Sequence, residues 1–202
     1  TSPAVMRTTL GTPARGCRKA VRRYSDPVTT SRFAAALNVQ IGNEFAAHLQ
    51  YVAIAVHFDA LTMPQLASFF YVHAREERDH AMMMVRYLLD TEAEVTIPGG
   101  EAPQSRFDGV VEPVELALRQ ERAVTEQVYS LTRIAREEND FGAEQFMQWF
   151  IKEQVEEVAK MSSLLTVAKR NTDSIADLEA YVAGQQANPS GVDPTAPTIA
   201  DA

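Results

Sequence analysis

Cysteine is almost absent from this sequence. Cys17 is the only one in 202 residues, so no internal disulfide can form and nothing calls for an oxidising compartment. Long apolar runs are missing too. Stretches such as Phe45-Ala46-Ala47 and Met82 to Val85 fall far short of the roughly 18 to 20 apolar residues that a membrane span needs. We therefore expect no membrane partner and a cytoplasmic location. No internal repeat is visible. With 46% hydrophobic and 23% charged residues, the composition suits one domain of ordinary size with a real core.

Basic charge is also scarce outside one segment. Residues 1–32 hold seven of the 19 basic residues and one of the 27 acidic ones, which leaves +6 there and −14 on the remainder of a chain whose net charge is −8. An acidic body repels nucleic acid and attracts cations; only the basic arm suits an anionic partner. The first 31 residues carry three prolines, two glycines and many Ser and Thr without an apolar period, and read as a flexible arm. They lack the central apolar segment of a secretory signal.

From Phe33 the pattern changes. Leu37, Ile41, Phe45, Leu49, Val52 and Val56 recur at three- and four-residue steps, and Thr30-Ser31 offers a cap, which predicts a helix to about Asp59. Pro64 suits the first turn of a second helix ending near Asp90. The stretch from Thr91 to Val111, with Pro98-Gly99-Gly100 and Pro103, has no helical period and is long enough to cross the length of a bundle. A third helix starts around Glu112-Pro113 and continues through Ile134. After a break at Glu138 to Gly142 comes a fourth, through Phe146, Phe150, Val158 and Leu165, and Ser174 to Ala183 reads as a short fifth. Two tight connections flanking one long crossover are the connectivity of a ferritin-like four-helix bundle, an all-α fold. We expect this domain to span 33–184, with a flexible tail over 185–202.

Each long helix brings a carboxylate to an otherwise apolar or inward-looking position. Glu44 is followed two turns later by Tyr51; Glu77 is followed by His80; the third helix carries Glu121 and the fourth Glu153-Gln154-Val155-Glu156-Glu157. Unpaired carboxylates in a dry interior cost several kcal/mol each, and bound cations are the natural compensation. Oxygen ligands with one imidazole suit iron or manganese, with zinc as a competitor. A carboxylate can bridge two cations where a histidine cannot, and Glu77 is best placed to do so. The second Glu-x-x-His of a symmetric di-iron bundle is missing. Gln154-x-x-Glu157 stands in its place, which implies an asymmetric pair. Residues 153 and 157 lie about 40° apart on the helical wheel, so Glu157 can also serve a third site with Glu76, Glu153 and Glu156.

Here the sequence resembles a bacterial non-haem ferritin. The matching stretches are Gln40 to Phe45, Glu76 to Ala81 and Glu144 to Glu157, within a likeness spanning about 33–184. The resemblance implies that Glu44, Glu77 and His80 hold a first iron and that Glu77 bridges to a second held by Glu121 near Gln154. Tyr51 would stand close by, and Glu157 would link to the third site of Glu76, Glu153 and Glu156. It also implies oxidation of Fe(II) with dioxygen or peroxide and storage of ferric mineral in a homo-oligomeric shell of about 24 subunits. Bacterioferritins place a haem-ligating methionine directly after the bridging glutamate. This chain has Arg78 there, so no haem is expected at that site.

His48, His57 and His73 are assigned no ligand role, and Met82 to Met84 are expected to fill core gaps. One alternative is a DNA-binding mini-ferritin that holds nucleic acid through the basic arm. Such relatives lack a fifth helix and the carboxylate cluster within one chain.

Overall fold

A computed structural model describes residues 31–186 and 193–200 of the chain. Five helices make up the fold: α1 (Arg32–Ala60), α2 (Pro64–Asp90), α3 (Val111–Glu137), α4 (Phe141–Arg170) and α5 (Ile175–Gln186). Helix α1 packs mainly on α2 and α3 mainly on α4, with α5 closing one end against α2.

Local chemistry explains several helix ends. Ser31 caps α1, its hydroxyl accepting from Ala34 N at 3.0 Å. Pro64 opens α2, as its missing N–H and restricted φ allow. The break before α4 turns on Asn139, at φ 56°, and Asp140 then caps Ala143 N at 2.9 Å. The sequence suggested a break reaching Gly142, but the aspartate cap lets the helix start at Phe141.

Two further ends are capped from a distance. Met63 offers α2 no side-chain cap, and Glu179 of α5 accepts from Gln65 N and Leu66 N, both at 2.9 Å. Glu138 does the same for α1, accepting from Arg32 N at 2.8 Å and Phe33 N at 3.1 Å.

The crossover between α2 and α3 lies along α1 on a stripe with a four-residue step. Asn38 donates to Glu94 O at 2.9 Å and accepts from Thr96 N at 2.6 Å. Gln50 repeats the pattern with Gln104, at 2.9 Å in each direction. Between them Gly42 meets Pro98: a Cβ at 42 would sit 2.6 Å from Pro98 Cγ. Glu94 O, Thr96 N and both backbone groups of Gln104 are therefore satisfied by side chains of α1 rather than by a ladder.

The core divides into two apolar clusters. One gathers Tyr51, Ile54, Phe58, Leu66, Phe70, Val114, Met161, Leu164, Leu178 and Val182. The other gathers Phe33, Leu37, Ile41, Met84, Leu88, Val128, Leu131, Met147 and Phe150. On every long helix the inward carboxylate falls in sequence between the residues of the two clusters, so Glu44, Glu77, Glu121 and Glu157 form a polar layer between two apolar ones. Met83 and Met84 pack in the second cluster.

The tail differs from its expectation. Helix α5 runs on to Gln186, and residues 193–200 return to α4. Asp193 accepts from Trp149 Nε1 at 3.2 Å and from Lys152 Nζ at 2.9 Å, and Ala196, Ile199 and Ala200 lie against the second cluster. A charge partner and an apolar anchor hold a segment that composition alone marked as loose. At the other end, Arg32 belongs to α1; the rest of the basic arm, residues 1–30, lies outside the described residues.

Candidate metal centre

Glu44, Glu77, His80, Glu121, Gln154 and Glu157 are each no more than 5% exposed. Such burial is tolerable for carboxylates only if each oxygen finds a partner. Half of them do. Gln40 Nε2 donates to Glu44 Oε1 at 2.8 Å, the Tyr51 hydroxyl donates to Glu121 Oε1, and Lys160 Nζ donates to Glu157 Oε1 at 2.6 Å. The opposite oxygens, Glu44 Oε2, Glu121 Oε2 and Glu157 Oε2, have no hydrogen-bond partner, and neither has Glu77 Oε2. All four bare oxygens are buried in one layer, and Glu121 joins neither convergent group of donor atoms.

Among the described residues, donor atoms of Glu44, Glu77 and His80 all lie within 4.8 Å of one another. His80 Nδ1 stands 3.5 Å from Glu77 Oε2, on the same face of α2 three residues along. Its ring is lodged edge-on against Trp149 and Phe150, with centroids 5.6 and 5.8 Å away, which fixes the direction of its nitrogens. On the opposite helix pair, Thr125 Oγ1 lies 2.8 Å from Glu121 O and 3.0 Å from Gln154 Oε1, tying α3 to α4.

Burial dominates the electrostatics of this layer. Burial pushes Glu44 up to about 8, with the charge of Glu77 adding to it. Burial likewise carries Glu121 up to about 7, against the hydrogen bond from Tyr51. Glu77 goes well above the carboxylate range through burial and the charge of Glu121. Burial works in the same direction on Glu157, yet His73 and Lys160 outweigh it and bring the group down to about 2. Tyr51, raised by burial and by Glu121, stays a phenol and a donor.

A second convergence was not anticipated. His73, Glu76 and Glu157 also present donor atoms within 4.8 Å of one another. The sequence gave His73 no role, since a single histidine on an apolar helix face carries no signal; its four-residue step to Glu77 was the only available hint. Of the third-site residues expected from the sequence, Glu76 and Glu157 come together, while Glu153, half-buried, and Glu156, exposed, join neither convergent group.

Comparison with known proteins identifies the family. The ferritin family, described as a ferritin-like domain, matches residues 34–171. The chain belongs to the ferritin family. Its members store iron, and this chain is an iron-storage protein of that kind. It is 49% identical over 170 residues to ferritin BfrB of Mycolicibacterium smegmatis, covering 84% of this chain and 93% of the relative. A bacterial non-heme ferritin of Staphylococcus aureus is 34% identical over 146 residues, covering 72% and 88%. Among solved structures, an open pore ferritin from Archaeoglobus fulgidus superposes with a TM-score of 0.75 at 25% identity, covering 80% of this chain and 98% of that one.

Proposed function

We propose that this ferritin is also a ferroxidase, oxidising Fe(II) to Fe(III) within each subunit before the ferric product joins the stored mineral. The observation that carries this reading is the set of bare, buried carboxylate oxygens on Glu44, Glu77, Glu121 and Glu157. Iron is the substrate here, and these oxygens would receive it. Glu44, Glu77 and His80 would hold one Fe(II). Glu77, with two oxygens, would bridge to a second held by Glu121 near Gln154 and Glu157.

Each residue then has a task. Gln40, Tyr51 and Lys160 hold one oxygen of Glu44, Glu121 and Glu157 and so aim the other inward. His80 supplies the one nitrogen at the first position. Gln154, a neutral amide, holds the second position more weakly, which suits a product that must leave. Two Fe(II) give up one electron each; dioxygen takes both with two protons and becomes hydrogen peroxide, or peroxide takes both with two protons and becomes two waters.

The same reading includes a closed homo-oligomeric shell of about 24 subunits in the cytoplasm. It includes no haem ligated next to the bridging glutamate, because Arg78, paired with Asp79 at 2.8 Å, offers no sulfur. A pyridine haemochrome signal from purified protein would contradict that. The mini-ferritin alternative fits poorly with α5 and with a carboxylate cluster inside one chain. Light scattering separates a shell of about 24 subunits from one of about 12.

The decisive experiment adds Fe(II) aerobically and follows ferric absorbance for wild type, Glu77→Ala and His80→Ala. We expect the fast phase to slow at least about tenfold in both variants, with the shell intact, the order of effect expected when a metal ligand is lost. Unchanged fast oxidation in both would sink the assignment.

A further inference from the structure

Gln40, which aims Glu44, is itself held from two sides. It is 3% exposed and stands one turn before Glu44 on α1. One Nε2 hydrogen goes to Glu44 Oε1 at 2.8 Å and the other to Gln127 Oε1 of α3 at 3.0 Å. The carbonyl oxygen of Gln40 accepts from Asn43 Nδ2 at 3.0 Å. Both hydrogens and the oxygen of this amide are therefore engaged.

The sense of the chain is set from the metal side. A carboxylate that binds a cation is ionised and only accepts, so Gln40 must turn its NH2 group toward Glu44. Turned the other way, it would press an oxygen against that carboxylate. Nε2 then has a second hydrogen to place in a buried position, where an unmet donor is costly. Gln127, half-buried, meets it.

Gln127 also joins two helices that each pack mainly on another partner, α1 on α2 and α3 on α4. Beside the carboxylate layer, α1 and α3 are linked by Gln40 to Gln127, one turn before Glu44, and by Tyr51 to Glu121, two turns after it. Thr125, two residues from Gln127, lies 3.0 Å from Gln154 of α4. Positions 125 and 127 are about 200° apart on the helical wheel, so α3 holds α4 on one side and α1 on the other. In the iron pair described above, the first position belongs to α1 and α2 and the second to α3 and α4. The separation of α1 from α3 is therefore the separation of the two positions.

We propose that Gln127 is a positioning residue for the iron pair and acts through Gln40: its Oε1 fixes the amide that aims Glu44 and sets the distance of α1 from α3. This rests on the ferroxidase reading, and the test separates the two. The effect falls on how tightly and in what geometry the first ion is held, with assembly unaffected.

Anaerobic Co(II) titration of the full chain, followed by the visible d–d bands, reads affinity and coordination geometry together. Glu44→Ala identifies the ion that Glu44 holds. Gln127→Leu, close in size but without an acceptor, should weaken that ion about tenfold or more and alter its bands, the order expected when the partner of a metal ligand is disturbed. Gln127→Glu keeps an acceptor oxygen and should return both to near wild type. In a chain that already carries Gln40→Leu, adding Gln127→Leu should do little further harm, because the two act as one unit. Gln127→Ala repeats the measurement if the leucine variant does not assemble. Unchanged affinity and bands in Gln127→Leu overturn the inference. So does a loss that persists in Gln127→Glu, or one that adds in full to that of Gln40→Leu; both leave the ferroxidase reading standing. A Co(II) titration that Glu44→Ala leaves unaltered overturns the ferroxidase reading and this inference with it.

Discussion

Glu44, Glu121 and Glu157 share one arrangement: a protein donor holds Oε1 and leaves Oε2 bare. A cation can be received without rotating the carboxylate, because the first oxygen is already pinned. Removing a donor should therefore hurt in two ways. Tyr51→Phe keeps the ring and deletes the hydroxyl, which leaves Glu121 Oε1 buried without its partner. We expect about 1 to 3 kcal/mol lower stability in the metal-free protein, read by urea unfolding, together with slower Fe(II) oxidation. The raised carboxyls also predict proton release on metal binding. Glu44 at about 8 and Glu121 at about 7 hold protons at neutral pH that a divalent ion must displace. Zn(II) calorimetry in buffers of different ionisation enthalpy should show net release near neutrality. Affinity should rise up to about tenfold per unit increase in pH for each proton displaced. Binding with no proton exchange would count against the site as drawn.

At the level of the helix, local signals and distant ones contribute separately. Ser31, Pro64 and Asp140 act within one turn of the helices they start, and their roles are readable in sequence. Glu138 and Glu179 cap helices more than 100 residues away, and nothing local announces them. Glu179→Ala removes the cap of α2 and the tie to α5 together. We expect a loss of about 0.5 to 2 kcal/mol, with earlier hydrogen exchange in α5 and the first turn of α2. Gly42 has a different duty, since Pro98 of the crossover presses on it. Gly42→Ala should displace the crossover and cost about 1 to 3 kcal/mol by overpacking, measured as a fall in denaturation midpoint. An unchanged midpoint would mean that the crossover yields freely.

Across the whole molecule, the polar layer makes stability depend on pH and on metal. Glu44 and Glu121 are raised from an ordinary 4.5 to about 8 and about 7, so the folded chain keeps their protons where the unfolded chain has lost them. Their contribution is full below the ordinary carboxylate range and disappears as pH rises through those values. Glu157, at about 2, works in the opposite sense, but its contribution is lost only toward that acidity and is level near neutrality. The metal-free protein should therefore melt lower at about pH 8 than at about pH 5. A divalent ion at about a hundredfold over its dissociation constant should restore about 2.7 kcal/mol. Differential scanning calorimetry with and without Zn(II) checks both signs; a melting temperature that climbs with pH in the metal-free protein would refute the first.

How much of this molecule was legible beforehand follows the range of the interactions. The apolar period of 3.6 residues marked four long helices to within a few residues, because helix formation is dictated by neighbours three and four positions away. Glu44, Glu77 and Glu121 stood out because a charged residue interrupting an apolar face is visible in one dimension, and His80 because it follows Glu77 by three residues. His73 did not, since no carboxylate stands three residues before it. Lys160 read as ordinary solvent-facing charge, and Asp193 and Ile199 as tail. Sequence by itself determined the helices, the long crossover and the carboxylate positions on each helix, for all of these rest on local spacing. Only the tertiary structure decided which oxygen of each carboxylate is bare, that His73 meets Glu157, and that distant glutamates cap α1 and α2. Those facts depend on how separate helices are rotated and set against one another, and that is settled by packing between residues far apart in the chain.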